Sequence, residues 1–316
     1  MNILLQNQYS QNHFSQIQTP NTMKTLLHSV FLRITLVVLM LNFISVNKSS
    51  AAFPAGGGNY TIDNVNVLTA YSAGGATGNF TTFTAAIAEL NASSAVTLTG
   101  PITFTVTTAQ TFSEVFSGLS ITYTNPGNQL ITFVSSNTSS TNPILSGKTG
   151  TTAADAVLTI TSGKFYTFNH IDLKNDASNA TILAEMEIGL NLSTCNNITF
   201  QNGAINLTYA LTETNATNGI KMSAGGTGFN FSNNTITINP ATGASFGING
   251  TTLVSSTFDN NTINISGTHT VASGIITLTG LSAASINNTI SNNNSAQMTM
   301  TGAVNWIGIN IIWGGE

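Results

Sequence analysis

Arginine is absent from residues 34–316, and the lysines that follow the amino-terminal leader are Lys148, Lys164, Lys174 and Lys221. Those four lysines, set against eleven acids, leave a formal charge of −7. Phosphate recognition requires clustered Lys and Arg, so nucleic acid and anionic lipid are excluded as partners. Charge of either sign is scarce: Asp, Glu, Lys and Arg make up 6% of the chain, against about a quarter in ordinary globular proteins. Thr, Asn, Ser and Gly fill the difference. The single cysteine, Cys195, excludes an internal disulfide, so an exported chain of this kind must hold together by packing. Helical spacing is missing from the second half and so is a leucine framework, which excludes helical and leucine-rich repeats. Disorder is excluded in turn, because 41% hydrophobic residues at alternating positions supply a core.

What the sequence does contain is one phrase written three times: Phe231-Ser232-Asn233-Asn234-Thr235-Ile236, Phe258-Asp259-Asn260-Asn261-Thr262-Ile263 and Ser285-Ile286-Asn287-Asn288-Thr289-Ile290. The starts, at 231, 258 and 285, are evenly spaced, and looser copies begin at Tyr166 and Phe200. A second mark keeps step: Gly189-Leu190, Gly219-Ile220, Gly247-Ile248, Gly274-Ile275 and Gly308-Ile309. Repeats of this length build solenoids, whose units bury their apolar faces by stacking on neighbours. Ile236-Thr237-Ile238 and Ile263-Asn264-Ile265 alternate with a period of two, the pattern of strands with one face inward. The expected fold is all-β: a right-handed parallel β-helix solenoid with a short N-terminal capping helix. In it, Ile236, Ile263 and Ile290 form one inward column, and the Asn pairs at 233/234, 260/261 and 287/288 mark one corner. Asn tolerates the left-handed backbone region and suits such a corner. Stacked amides can also bond one another in a ladder, so two readings of the pairs stand side by side, turn former and ladder.

Taken in order, residues 1–22 are polar and read as a non-native or disordered extension. Residues 23–51 read as a secretory signal peptide, with Lys24 and Arg33, the apolar run Ile34 to Val46 and small residues at Ser49-Ser50-Ala51. That run is too short to span a bilayer, which takes roughly 20 apolar residues; an uncleaved anchor is the other reading. Export to the cell surface or the medium is therefore expected. Residues 52–94 form a cap region, in which Phe80, Phe83, Ile87 and Leu90 share a helical face with Asn79 or Thr81 as the cap. A helix there covers the open edge of the first coil. Residues 95–316 are coils, opening with Ile102–Val106, Leu119–Tyr123 and Ile131–Phe133, and the repeat is still running at Trp306–Trp313. An apolar coil left open at that end invites end-to-end self-association.

Tyr60-Thr61-Ile62, Phe80-Thr81-Thr82-Phe83-Thr84-Ala85-Ala86-Ile87 with Leu90-Asn91, Gly100-Pro101-Ile102-Thr103-Phe104, Thr111-Phe112-Ser113-Glu114, Ile131-Thr132-Phe133, Asn142-Pro143 and Gly163-Lys164-Phe165-Tyr166-Thr167-Phe168 together carry a resemblance. Over residues 57 to 210 the chain resembles a group of secreted surface proteins of the Bacteroidota with a pectin-lyase-like parallel β-helix. Members commonly end in a type IX secretion sorting domain. The resemblance implies the fold and a cell-surface setting and is nearly silent on activity. The chain departs from the group at Gly163-Lys164-Phe165, where Gly-Asp-Tyr is usual, and holds no sorting domain within these residues, which leaves the export route open.

Chemistry has one local concentration of candidates: His170, Asp172, Lys174, Asp176, Glu185 and Glu187. Asp172, Glu185 and Glu187 are the candidate acids for cleaving a glycosidic bond. Asp172, Asp176, Glu185 and Glu187 are the candidate oxygen ligands for calcium, the one cofactor the sequence suggests. The competing reading is that outward positions of a β-helix are sometimes charged. His170 and His269 fall on different coils, which speaks against a transition-metal site. Gly225-Gly226-Thr227-Gly228 precedes a strand and lacks the Lys-Ser/Thr of a phosphate loop, so it is a corner. The function expected is a secreted structural or adhesive β-helix without catalysis, whose partner is an extracellular polysaccharide or another surface component. A polysaccharide lyase or hydrolase and a non-catalytic glycan-binding module are the alternatives.

Overall fold

The computed structural model describes residues 52–316, apart from 67, 115–117, 148–154, 176–185, 214, 242, 268–272, 282–286, 295–297, 301–305 and 314–316. The extension and the signal peptide expected over residues 1–51 lie outside the described residues. Among the described residues three sheets, one of eleven strands and two of seven, are built entirely from parallel pairs. Each coil adds one strand to each sheet in turn, as in Asn230–Ser232, Thr235–Ala241 and Ser245–Thr251, after which Thr257–Asp259 returns to the first sheet. The fold is thus a parallel β-solenoid, with a short α-helix near its amino end.

Alternation decides what faces inward. In the first sheet Phe104, Phe133, Phe168, Phe200, Phe231 and Phe258 pair in register and are all buried. The rings of Phe104 and Phe133 stack at 4.6 Å and 14°, and those of Phe133 and Phe168 at 5.0 Å and 3°. Ile205, Ile236 and Ile263 form the matching column of the second sheet. The third sheet answers that bulk with glycine. A Cβ on Gly189, Gly219 or Gly247 would lie 2.3–2.4 Å from Cγ2 of Ile205, Ile236 or Ile263 respectively. Gly189, Gly219 and Gly247 mark the pattern seen in the sequence because two sheets approach there too closely for any side chain.

The register corrects the sequence reading in three places. Ile290 does not join Ile236 and Ile263: it pairs with Phe258 in the first sheet. The repeat therefore runs through Phe168, Phe200, Phe231, Phe258 and Ile290, and its spacing is uneven. The copy at Tyr166 shifts likewise, since Phe168 and not Tyr166 pairs with Phe200. Gly274 leaves the glycine column and pairs with Phe246, while Ile276 takes the place expected of Ile275 beside Ile248.

The helix is Phe83–Ala92, capped by Thr82, whose side chain accepts from the Ala85 N–H. The cap expected at Asn79 or Thr81 falls at Thr82 instead, and Asn79 and Phe80 belong to a strand, Thr77–Phe80. Phe83, Ile87 and Leu90 are buried, and the helix packs on the strands that begin the second and third sheets. Its Asn91 closes the open edge directly. The side chain donates to Ser120 O (2.8 Å) and accepts from the N–H groups of Thr122 (2.8 Å) and Tyr123 (3.2 Å). At the other end Trp306–Trp313 adds a further strand to the third sheet, with Ile309, Ile311 and Ile312 each about half exposed.

Asp63 pins the first coil. Its buried carboxylate accepts from the N–H groups of Val65 and Asn66 and from the side chains of Asn66, Gln110 and Thr107. Burial alone would raise its pKa, but the hydrogen bonds outweigh burial and hold it well below the usual carboxylate range. A depressed folded pKa contributes stability above the unfolded value of about 4, and that stability is lost as pH falls toward the folded value. Melting temperature should therefore fall below about pH 4, and Asp63→Asn should melt lower at pH 7 and lose this slope. An unchanged acid slope in the variant, read by circular dichroism across the acid range, would assign the effect elsewhere.

Candidate functional site

The Asn pairs form two kinds of corner. The first residue of a pair takes positive φ, 57° at Asn233 and 51° at Asn260, and does the turning. The second is buried and makes the ladder. Asn234 Nδ2 donates to Phe200 O (2.8 Å) and to Asn261 Oδ1 (3.0 Å). Asn261 Nδ2 donates to Phe231 O (2.9 Å) and to Asn293 Oδ1 (2.9 Å). Both readings of the pairs therefore hold: the first residue turns the chain and also bonds along the row at the surface, Asn260 Nδ2 donating to Asn233 Oδ1 (2.7 Å), while the second makes the buried ladder. Asn287 and Asn288 occupy a different corner, which precedes the first-sheet strand. Asn288 Oδ1 there accepts from the Ser256 N–H, and its Nδ2 donates to Leu253 O. The true successors of Asn260 and Asn261 are Asn292 and Asn293.

The acidic candidates are distributed over this same corner system. His170, with φ 56°, stands where Asn202, Asn233 and Asn260 stand in later coils; His170 N–H donates to Gln201 O as Asn202 N–H does to Ser232 O. Asp172 begins the second-sheet strand Asp172–Asn175, and its Oδ1 accepts from Asn142 Nδ2 (2.7 Å) and the Ala204 N–H (2.8 Å). Burial pushes its pKa up, against the lowering effect of those two bonds and of His170. Glu187 lies at the corner ahead of the third sheet and is wholly buried. It holds the place occupied by Asp155 one coil earlier and by Thr217, Ser245 and Ser273 in later coils. Its Oε2 accepts from the Asp155 N–H (3.0 Å), just as Ser273 Oγ accepts from the Ser245 N–H (3.1 Å). Side chains in that column thus tie their coil to the one before.

Asp172 and Glu187 consequently sit at opposite ends of the second-sheet segment of their coil. Asp176 and Glu185 lie outside the described residues, so the calcium set is represented by Asp172 and Glu187 alone. Lys174 shares the strand of Asp172 and pairs with Ser146 on one side and Asn206 on the other. Among the described residues no three His, Cys, Asp or Glu side chains gather as a metal site would require. The two described acids, Asp172 and Glu187, are held at different corners by separate backbone N–H groups.

A further column emerges only in register. The residue before each inward apolar residue of the first-sheet column is nearly always threonine: Thr103, Thr132, Thr167, Thr199, Thr257 and Thr289, with Asn230 once between. Pairing makes these a single outward row. Its signal was present as the recurring Thr-Phe pair, but a pair repeated at uneven intervals becomes a column only once the coil lengths are known.

These features define a non-helical repeat protein of the parallel β-solenoid class, held together by side-chain ladders at its corners. No protein-family model and no curated protein sequence matches the chain. Among solved structures it is similar to the crystal structure of alginate lyase from Paenibacillus sp. str. FPU-7, at 11% identity and a TM-score of 0.23, over 66% of this chain and 92% of that one. At that level the likeness bears on neither activity nor substrate.

Proposed function

We propose that the protein is an extracellular, non-catalytic β-solenoid that acts as an adhesive or structural element at a cell surface. Export through the leader at residues 23–51 belongs to this reading, as does delivery by the type IX route of comparable Bacteroidota surface proteins. The observation that carries it is the use made of the two described candidate acids. Asp172 and Glu187 each accept a backbone N–H from a neighbouring coil, and they do so at separate corners. A general acid and its partner must flank one scissile bond, and groups bound into different corners support the fold instead.

Incubation with acidic and neutral polysaccharides should yield no unsaturated products and no new reducing ends, while protein-coated beads adhere to one or more of the same polymers. Cleavage that disappears in Asp172→Asn, with the melting temperature of that variant unchanged, would replace this reading with a polysaccharide-active enzyme.

A further inference from the structure

We infer that the outer face of the first sheet binds a linear, uncharged polysaccharide laid along the solenoid axis, with the threonine column as its hydrogen-bonding rail; this rests on the adhesive reading above. Four observations converge on that face. The six threonines occupy equivalent outward positions in their coils, and successive coils step by about 4.8 Å. A hexopyranose chain joined through opposite ends of its rings advances by nearly the same step, so each coil meets one sugar.

The second observation is that these hydroxyls are uncommitted. Among the described residues, none of the six threonine side chains enters a hydrogen bond within the chain, whereas the corner amides are bound into ladders. Threonine is stiff about χ1, so such groups lose little freedom when a ligand meets them.

Flatness is the third. Sheets ordinarily twist by about 20° to 25° per strand, and flat ones are held by side-chain ladders. Phe104, Phe133 and Phe168 stack within 14° and 3° of parallel directly beneath Thr103, Thr132 and Thr167. The rail above them is accordingly straight over those coils, as a stiff, extended ligand needs.

Charge is the fourth. Two residues further along each strand a second outward column runs Thr105, Val134, Asn169, Gln201, Ser232 and Asp259, polar at every coil but that of Val134, and Asp259 is the sole charged side chain in either column among the described residues. Amides and hydroxyls about 7 Å apart along the strand suit the two edges of a neutral sugar ribbon. A uronate polymer would need the cations that both columns lack.

The test is retention of the full chain on insoluble cellulose, a neutral β-1,4 glucan, with soluble alginate as an anionic comparison. The paired change Thr167→Glu with Thr199→Glu places two carboxylates on adjacent coils of the rail. Asn206→Glu with Thr237→Glu places them equivalently on the outer face of the second sheet. Melting curves establish that both variants fold. Expected is retention of the wild type and of the second-sheet variant, with apparent affinity at least about tenfold lower in the first-sheet variant, equivalent to about 1.4 kcal/mol, and no binding to alginate. Equal loss in both variants, no loss in either, no retention of the wild type, or preferential binding of alginate would each overturn the inference. Adhesion that ignores the first-sheet change leaves the adhesive reading standing without this face. Cleavage of the cellulose would remove the adhesive reading itself.

Discussion

Asn261→Leu should destabilise the solenoid by about 3–5 kcal/mol, since each buried polar group left without a partner costs about 1–3 kcal/mol. The amide of Asn261 accepts from Nδ2 and the backbone N–H of Asn234, and donates to Phe231 O and Asn293 Oδ1. Leucine fills the volume but strands two donors of the coil before and a carbonyl of the first sheet. Because Asn261 is fully buried, water cannot replace what is lost. The neighbouring change Asn260→Gly is the control. Asn260 is exposed and has φ 51°, a conformation that glycine adopts without strain. Its loss should cost only about 1 kcal/mol, from the added entropy of the unfolded chain and from the exposed bond of its Nδ2 to Asn233 Oδ1, whose groups water can satisfy. Urea titration of both variants separates the roles. Equal destabilisation would mean that the pair acts as a turn and that the ladder contributes nothing.

Gly219→Val should cost about 3 kcal/mol, at the upper end of the penalty for overpacking a filled core. A Cβ at that position lies 2.4 Å from Ile236 Cγ2 and 2.6 Å from Gly247 O, so both the facing isoleucine and the strand of the next coil must move. Combining it with Ile236→Ala should recover part of the loss, because the two substitutions act on one contact and contacting sites are not additive. Strict additivity in the double variant would show that glycine is required there by its own backbone and not by the isoleucine across the core.

Such sites show why the candidate chemistry was poorly legible before the fold was known. Asp172 and Glu187 belong to one short stretch of sequence, and nothing local reveals that each stands at a corner whose equivalents in other coils are mixed: Ile144, Ala204 and Thr235 for one, Asp155, Thr217 and Ser245 for the other. Their neighbours in space are Asn142 and Ala204 for one and Asp155 for the other, all roughly one coil away. The third Asn pair misled for a related reason. Both corners that flank a first-sheet strand use a residue at positive φ, and Asn261 at one and Asn288 at the other bond neighbouring coils through their amides, so Asn287-Asn288-Thr289-Ile290 can be written at either. Only pairing of Ile290 with Phe258 tells which.

The sequence by itself determined the class of fold. Period-two alternation, Asn at the corners and a repeat of solenoid length admit a parallel solenoid and little else, because each of these is a local requirement of strands and tight turns. It also determined that a helix lies near the amino end, since Phe83, Ile87 and Leu90 share one face. What only the tertiary structure decided is register. The coils that separate Phe168, Phe200, Phe231, Phe258 and Ile290 differ in the length of their turns, and turn length leaves no periodic trace in the sequence. Which threonines form a rail, which amides form a ladder and which acids meet all depend on that register, because such contacts run between coils, across the strands, where the sequence has no continuous pattern to follow.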